Sequence, residues 1–175
     1  MKLDPNQAYT DPKIAVKTFN EIYAGLGRRV TLIEEPCPKG KLEMMRYVSQ
    51  SSEIPIYADE SAATLGDVRR IIEERAAAGV NLKLQKIGGI YWAAEAAKSL
   101  HTARMGTQIG CMFESGIGLA AATNFAAGTP AVSHADIDSD TYFEVDILAD
   151  DSLPFRWGAR MPSGKAGLGI ALREE

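Results

Sequence analysis

The residues predict an α/β fold in which strand–helix units repeat around a parallel sheet, and three observations carry that prediction. Short apolar runs alternate with longer amphipathic ones. Helix-capping residues stand where the longer segments open and close. Chemistry-bearing side chains recur at Asp4, Glu34, Asp59, Lys83, Glu114 and Asp136, at intervals of 30, 25, 24, 31 and 22 residues. That is the length of one strand, one helix and two loops. Units of this kind argue for parallel strands joined by right-handed crossovers.

The strands come first. Val30-Thr31-Leu32-Ile33 is a short β-branched run, and Ile54-Pro55-Ile56-Tyr57 is a looser one. Asn81-Leu82-Lys83-Leu84-Gln85 alternates polar and apolar with the period of two that a strand requires. Gln108 to Phe113 and Ala131 to Ile137 are the next candidates, and Asp4 ends or follows a first strand, making six. The helices carry their own marks. Asp11-Pro12 is an N-cap followed by proline at the first helical position. Ala15, Phe19, Ile22 and Leu26 then form one face, closed by Gly25 and Gly27. Thr64 opens a second helix with Leu65, Val68 and Ile72 on its face, ending near Gly79. Tyr91 to Arg104 is alanine-rich and a good helix former, and Gly116 to Ala127 suits a buried helix.

Composition narrows the function. The 175 residues suffice for one ordinary domain. Hydrophobic residues make up 46% and charged residues 24%, and a net charge of −4 leaves no basic footprint for nucleic acid or an anionic membrane. No run approaches the roughly 20 apolar residues of a membrane span. The opening Met1-Lys2-Leu3-Asp4-Pro5 has no apolar core of a secretory signal. Cys37 and Cys111 are far apart and form no C-x-x-C pair, which points to a reducing cytoplasm.

A doubly wound sheet and a (β/α) barrel both satisfy the pattern, and the position of the polar groups separates them. Each unit delivers its acid or amine to the same end of the sheet, and in a closed barrel that end is the C-terminal face where active sites lie. Three carboxylates from neighbouring strands, Asp4, Glu34 and Asp59, would converge there and repel one another. A hard divalent cation resolves the repulsion, and an oxygen-only donor set favours Mg²⁺. Alternation sends Leu82 and Leu84 toward the helices and Asn81, Lys83 and Gln85 into the barrel. An inward lysine near a dication is expected to have a lowered pKa, which suits a general base. Lys86 falls on the other parity or in the loop and is not expected to act. His101 belongs to a helix C-terminus, His134 precedes Asp136 and could reach the site, and Trp92, Trp157 and the methionines read as core or packing residues.

At these residues the chain resembles the enolase superfamily, in its muconate-lactonizing-enzyme and mandelate-racemase-like branches. The matching segments are Leu3-Asp4-Pro5-Asn6-Gln7, Ile33-Glu34-Glu35-Pro36, Ala58-Asp59-Glu60-Ser61, Lys83-Leu84-Gln85-Lys86-Ile87-Gly88-Gly89 and Phe113-Glu114-Ser115-Gly116-Ile117-Gly118. They run in the family's order. The resemblance implies that Asp4, Glu34 and Asp59 hold Mg²⁺, that Lys83 is an acid/base lysine, and that Glu114 lies close to substrate. It implies that Asn6 and Glu60 orient the ligands. Asp136-Ile137-Asp138 resembles the Asp-x-Asp with which dipeptide epimerases grip a substrate ammonium. The following Ser139-Asp140-Thr141-Tyr142-Phe143 is similar to the N-acylamino-acid racemase and o-succinylbenzoate synthase group.

The resemblance also implies a partial barrel, strands three to eight of the superfamily's eight, over residues 1–152. Residues 153–175 would form a tail that packs on a capping domain. The capping domain, the first two strands and their Lys-x-Lys motif have no counterpart here. A homo-oligomer, or the missing half of the barrel, is therefore an expected partner beside a small-molecule carboxylate substrate. Two functions follow. One is a Mg²⁺-dependent racemase, epimerase or lyase domain that removes the proton next to a carboxylate. The other is a barrel fragment that binds a metal at most. A flavodoxin-like binding domain is disfavoured, because Asp4-Pro5-Asn6-Gln7 offers no phosphate-binding glycine loop.

Overall fold

A computed structural model describes residues 1–149 and 152–174. Six parallel strands form one sheet in the order β1 (Lys2–Leu3), β2 (Leu32–Glu34), β3 (Ile56–Ala58), β4 (Gly79–Lys83), β5 (Gly106–Gly110) and β6 (Val132–Asp136). Sequential neighbours pair throughout, and the sheet curls into part of a barrel with helices outside it. The curl is far enough advanced that Lys2 on the first strand reaches the last. Its Nζ donates to the Ala135 carbonyl at 2.8 Å and pairs with Asp136 at 3.1 Å.

Each helix forms for a local reason. In α1 (Pro12–Leu26) the Asp11 carboxylate accepts from the Lys13 amide at 2.8 Å, and Ala15 and Phe19 are buried. Leu26, expected on the same face, lies instead at the surface. Between β2 and β3 runs α2 (Leu42–Ser51), which buries Leu42, Met45 and Val48; the sequence reading assigned no helix there. In α3 (Leu65–Glu74) Thr64 and Asp67 form a reciprocal capping box. That helix ends at Arg75 in the left-handed region, not near Gly79, which already belongs to β4. A single turn, α4 (Leu84–Ile87), follows β4 directly and is succeeded by α5 (Ile90–Thr102) and α6 (Gly116–Gly128).

Between sheet and helices lies a core that includes Phe19, Ile33, Ile56, Ile71, Leu82, Leu100, Ile109 and Leu119. Inside the curl, glycines make room for Tyr57. A Cβ on Gly106 would stand 1.7 Å from the Tyr57 hydroxyl, and one on Gly79 would stand 2.4 Å from its ring. After β6 the chain is tied back to itself. The Ala149 amide donates to Ala171 O and the Arg173 amide to Ile147 O, both at 2.9 Å. The segment expected as a separate tail thus meets residues 147–149 of its own chain and carries a two-strand ribbon, β7 (Phe155–Arg156) and β8 (Ala159–Arg160). Residues 150, 151 and 175, which fall within the two expected segments, lie outside the described residues. Trp157 is fully exposed and not in the core, while Trp92, 45% exposed, packs edge-on against the Tyr91 ring at 4.9 Å.

Candidate active site

The strand ends open into one cavity of about 650 Å³. Its walls include Asp4, Asn6, Glu34, Asp59, Glu60, Asn81, Lys83, Lys86, Asp136 and Asp138, with Met112, Phe113 and Tyr142 toward its apolar side. Asp4 follows β1 and accepts from the Asn6 amide at 2.8 Å. Asn6 sits at φ 48°, and that local turn brings its N–H back to the carboxylate. Glu34 ends β2 and is 5% exposed. Asn81 Nδ2 donates to one of its oxygens at 2.7 Å and Gln108 Nε2 to the other at 2.5 Å. Asn81 and Gln108 were not foreseen as site residues from the sequence. Their alternation in β4 and β5, on the parity of Lys83, is the signal that marks them.

Asp59, 1% exposed, is paired with two lysines. Lys83 Nζ meets its Oδ2 at 2.6 Å and Lys86 Nζ meets its Oδ1. Glu35, on the opposite parity from Glu34, is fully buried and fastens this strand end from behind. It accepts from the Asp59 amide at 2.7 Å, the Ser61 amide at 3.2 Å and the Ser61 hydroxyl at 2.5 Å. Glu60 keeps one buried oxygen without a hydrogen-bond partner.

Lys86 therefore lines the cavity, although strand parity would point it away. The strand stops at Lys83, and the single helical turn that follows swings Lys86 back beneath the strand ends. The same turn takes Gln85 out of the barrel wall. It donates from the surface to Glu114 Oε2 at 3.1 Å. Glu114 itself is not part of the cavity wall. Its other oxygen accepts from the Met112 amide at 3.1 Å, so it braces the loop that carries Met112 and Phe113. Asp136 is paired with Lys2, and Asp138 Oδ1 lies 3.9 Å from Cys111 Sγ. His134 stacks on Tyr57 outside the cavity lining.

Burial sets the electrostatics. Desolvation pushes the carboxyls of Glu34 and Asp4 above their ordinary range, opposed by their hydrogen bonds and reinforced by the charge of Asp59, with Asp4 adding to Glu34 and Asp136 to Asp4. Glu60 is raised by burial and then by Asp59. For Lys83, burial lowers the pKa, yet the ion pair with Asp59 and the charges of Glu34 and Glu60 outweigh it and leave it raised. This reverses the direction expected from the sequence, which assumed a dication beside it. Lys86 is lowered, chiefly by burial.

Among the described residues no three Asp, Glu, His or Cys side chains stand close enough to bind one ion together. The ammonium groups explain the spacing: both Asp59 oxygens face lysines, and Asp4 turns toward its own backbone. The residues nonetheless fit a hard dication in kind and place. They are three oxygen donors on consecutive strand ends, they line one cavity, and their mutual repulsion calls for positive charge. In this arrangement two lysines supply it.

Comparison with known proteins agrees with this architecture. The family described as enolase C-terminal domain-like matches residues 1–175. The chain belongs to this enolase-superfamily group. The L-Ala-D/L-Glu epimerase of Bacillus subtilis is 31% identical over 171 residues, covering 97% of this chain and 46% of that protein. The structure of its substrate-liganded complex superposes with a TM-score of 0.91 at 29% identity, over 99% of this chain and 48% of that one. A dipeptide epimerase from Enterococcus faecalis, complexed with Mg and L-Leu-L-Tyr, superposes with a TM-score of 0.88 at 32% identity, over 97% and 47%. This enolase-superfamily chain thus spans under half the length of the relatives it matches.

Proposed function

We propose that the chain carries the metal-binding side of a Mg²⁺-dependent racemase or epimerase site that removes the proton next to a carboxylate, with an amino-acid derivative or dipeptide as substrate. One observation carries the reading. An amine, Lys83, lies in the same cavity as three strand-end carboxylates, with a single ion-pair partner among them. The likeness to dipeptide epimerases supports it.

Asp4, Glu34 and Asp59 would hold the ion, with the Asn6 backbone orienting Asp4 and Asn81 and Gln108 orienting Glu34. Glu60 borders this group with a free buried oxygen. A bound dication supplies Lewis-acid stabilisation of the charge that develops on the substrate carboxylate. Lys83 takes the α-proton. For that it must be neutral, and its ion pair with Asp59 holds it charged. With a dication held at Asp59 Oδ2 that pairing would be lost, and burial would then lower the amine, the direction a general base needs. Asp136 and Asp138 receive the substrate ammonium; Asp136 already accepts one from Lys2. Glu114 supports the loop beside the substrate. Loss of a β-substituent after deprotonation would make the same site a lyase.

The test is deuterium wash-in at the α-carbon of dipeptides such as L-Ala-L-Glu and L-Leu-L-Tyr, in D₂O with Mg²⁺, followed by NMR. Exchange that disappears in Lys83→Ala is the expected result. Mg²⁺ binding with no exchange for any substrate would leave a barrel that holds a metal and turns over nothing.

A further inference from the structure

Lys83 and Lys86 share one carboxylate but are held very differently. Lys83 meets one oxygen, Asp59 Oδ2, in an ion pair at 2.6 Å that lacks hydrogen-bond geometry, and its side chain lines the cavity. Lys86 has three acceptors: Asp59 Oδ1, the Asp59 carbonyl at 2.5 Å and the Asn81 carbonyl at 3.4 Å. An ammonium carries three donors, so Lys86 is saturated while Lys83 is not. Two of its three acceptors are main-chain oxygens, one just past the end of β3 and one within β4. Its anchorage therefore does not depend on the Asp59 side chain. It is also well buried, 14% exposed at the side chain, on a helical turn that starts directly from the strand.

We propose that Lys86 is a positioning residue, a fixed cation that holds Asp59 Oδ1 and so presents Oδ2 to a divalent ion, while Lys83 on that same oxygen is the group that withdraws. The inference rests on the metal reading above. It explains how Asp59 keeps a counter-charge when Lys83 leaves to act on substrate; a buried carboxylate stripped of every partner is strongly disfavoured. It also assigns the two oxygens of Asp59 separate tasks. Lys86 repels an incoming dication, but with Asp4, Glu34, Glu35 and Glu60 around Asp59 the surroundings stay net negative, so orientation dominates.

The experiment measures Mn²⁺ and Mg²⁺ affinity of the full chain by calorimetry, for the wild type, Lys86→Met and Lys83→Met, alongside apo thermal melts. Lys86→Met is expected to weaken the ion about tenfold, within the range for groups that orient metal ligands. Lys83→Met is expected to bind equally or more tightly, because a competitor for Oδ2 is gone. A merely structural lysine would lower the apo melting temperature and leave affinity intact. In the wild type, Mg²⁺ should shift the Lys83 ¹⁵Nζ resonance and leave that of Lys86 in place, assigned through Lys83→Met, so the proposal stays open to refutation even if Lys86→Met does not fold. Equal or tighter binding by Lys86→Met, equal weakening by both variants, or movement of the Lys86 resonance overturns the proposal while leaving the metal site standing. Failure of the wild type to bind either ion overturns both.

Discussion

The two cysteines show what burial does to identical side chains. Cys37 is fully buried behind Glu35, and desolvation followed by the charge of that carboxylate pushes its thiol up to about 11. Reaction with an alkylating agent needs the thiolate, which at pH 8 is then roughly one part in a thousand of the Cys37 population. Mass spectrometry after iodoacetamide at pH 8 should therefore show one adduct, on the partly exposed Cys111, and two only after denaturation. Appearance of a Cys37 adduct in the native protein would refute that placement. Glu34 and Glu35 are neighbours at one strand end, yet Glu34 lines the cavity and Glu35 is buried behind it, because two neighbours on a strand face opposite sides. The same rule misplaced Lys86 and Gln85. One helical turn replaces a period of two by a period of 3.6, and nothing in Leu84-Gln85-Lys86-Ile87 by itself says which applies.

Elements are decided by contacts as much as by propensity. Gly79 and Gly106 lie opposite one another at the starts of β4 and β5, and each leaves the space that the Tyr57 ring fills. Gly106→Ala places a methyl inside the van der Waals shell of the Tyr57 hydroxyl and ring, so either the side chain or the strand must shift. Overpacking of this kind is expected to cost about 2–3 kcal/mol, read as a lowered urea midpoint at unchanged slope. Gly25→Ala is the control, because its Cβ would meet nothing within 4 Å. That substitution, in the last turn of α1, should be neutral or stabilising by up to about 1 kcal/mol. A midpoint for Gly106→Ala equal to wild type would show that Tyr57 is not packed as described. From the sequence Gly79 reads only as the end of a helix, and the strand that Gly106 opens reads as starting at Gln108. Helix caps at Asp11 and Thr64 were legible because the capping side chain and its backbone partner are local.

The whole molecule stores unfavourable charge in one place. Asp4, Glu34, Glu35, Glu60 and Glu114 are all raised by burial, and only a few cations stand against them. A dication that binds the native state alone should stabilise it by about 2.7 kcal/mol at a hundredfold excess over its Kd. The melting temperature is thus expected to rise with Mg²⁺, return with EDTA, and stay flat in Asp59→Asn. A Mg²⁺ response unchanged in Asp59→Asn would place the ion elsewhere. Lys2 links the two outer strands across the opening, but as a partly exposed pair it contributes little. The shape rests instead on the apolar layer between sheet and helices.

What the sequence by itself determined was the repeat: six strands in order, most of their helices, and acids and an amine delivered to one end of a parallel sheet. Those features depend on spacing and alternation, which are properties of the chain alone. Tertiary structure alone decided the partners. Whether Lys86 meets Asp59, whether Asn81 and Gln108 grip Glu34, and which way the Lys83 pKa moves all depend on distances between strands far apart in sequence. Electrostatic and hydrogen-bond energies change steeply over an ångström, and no one-dimensional pattern carries that length scale.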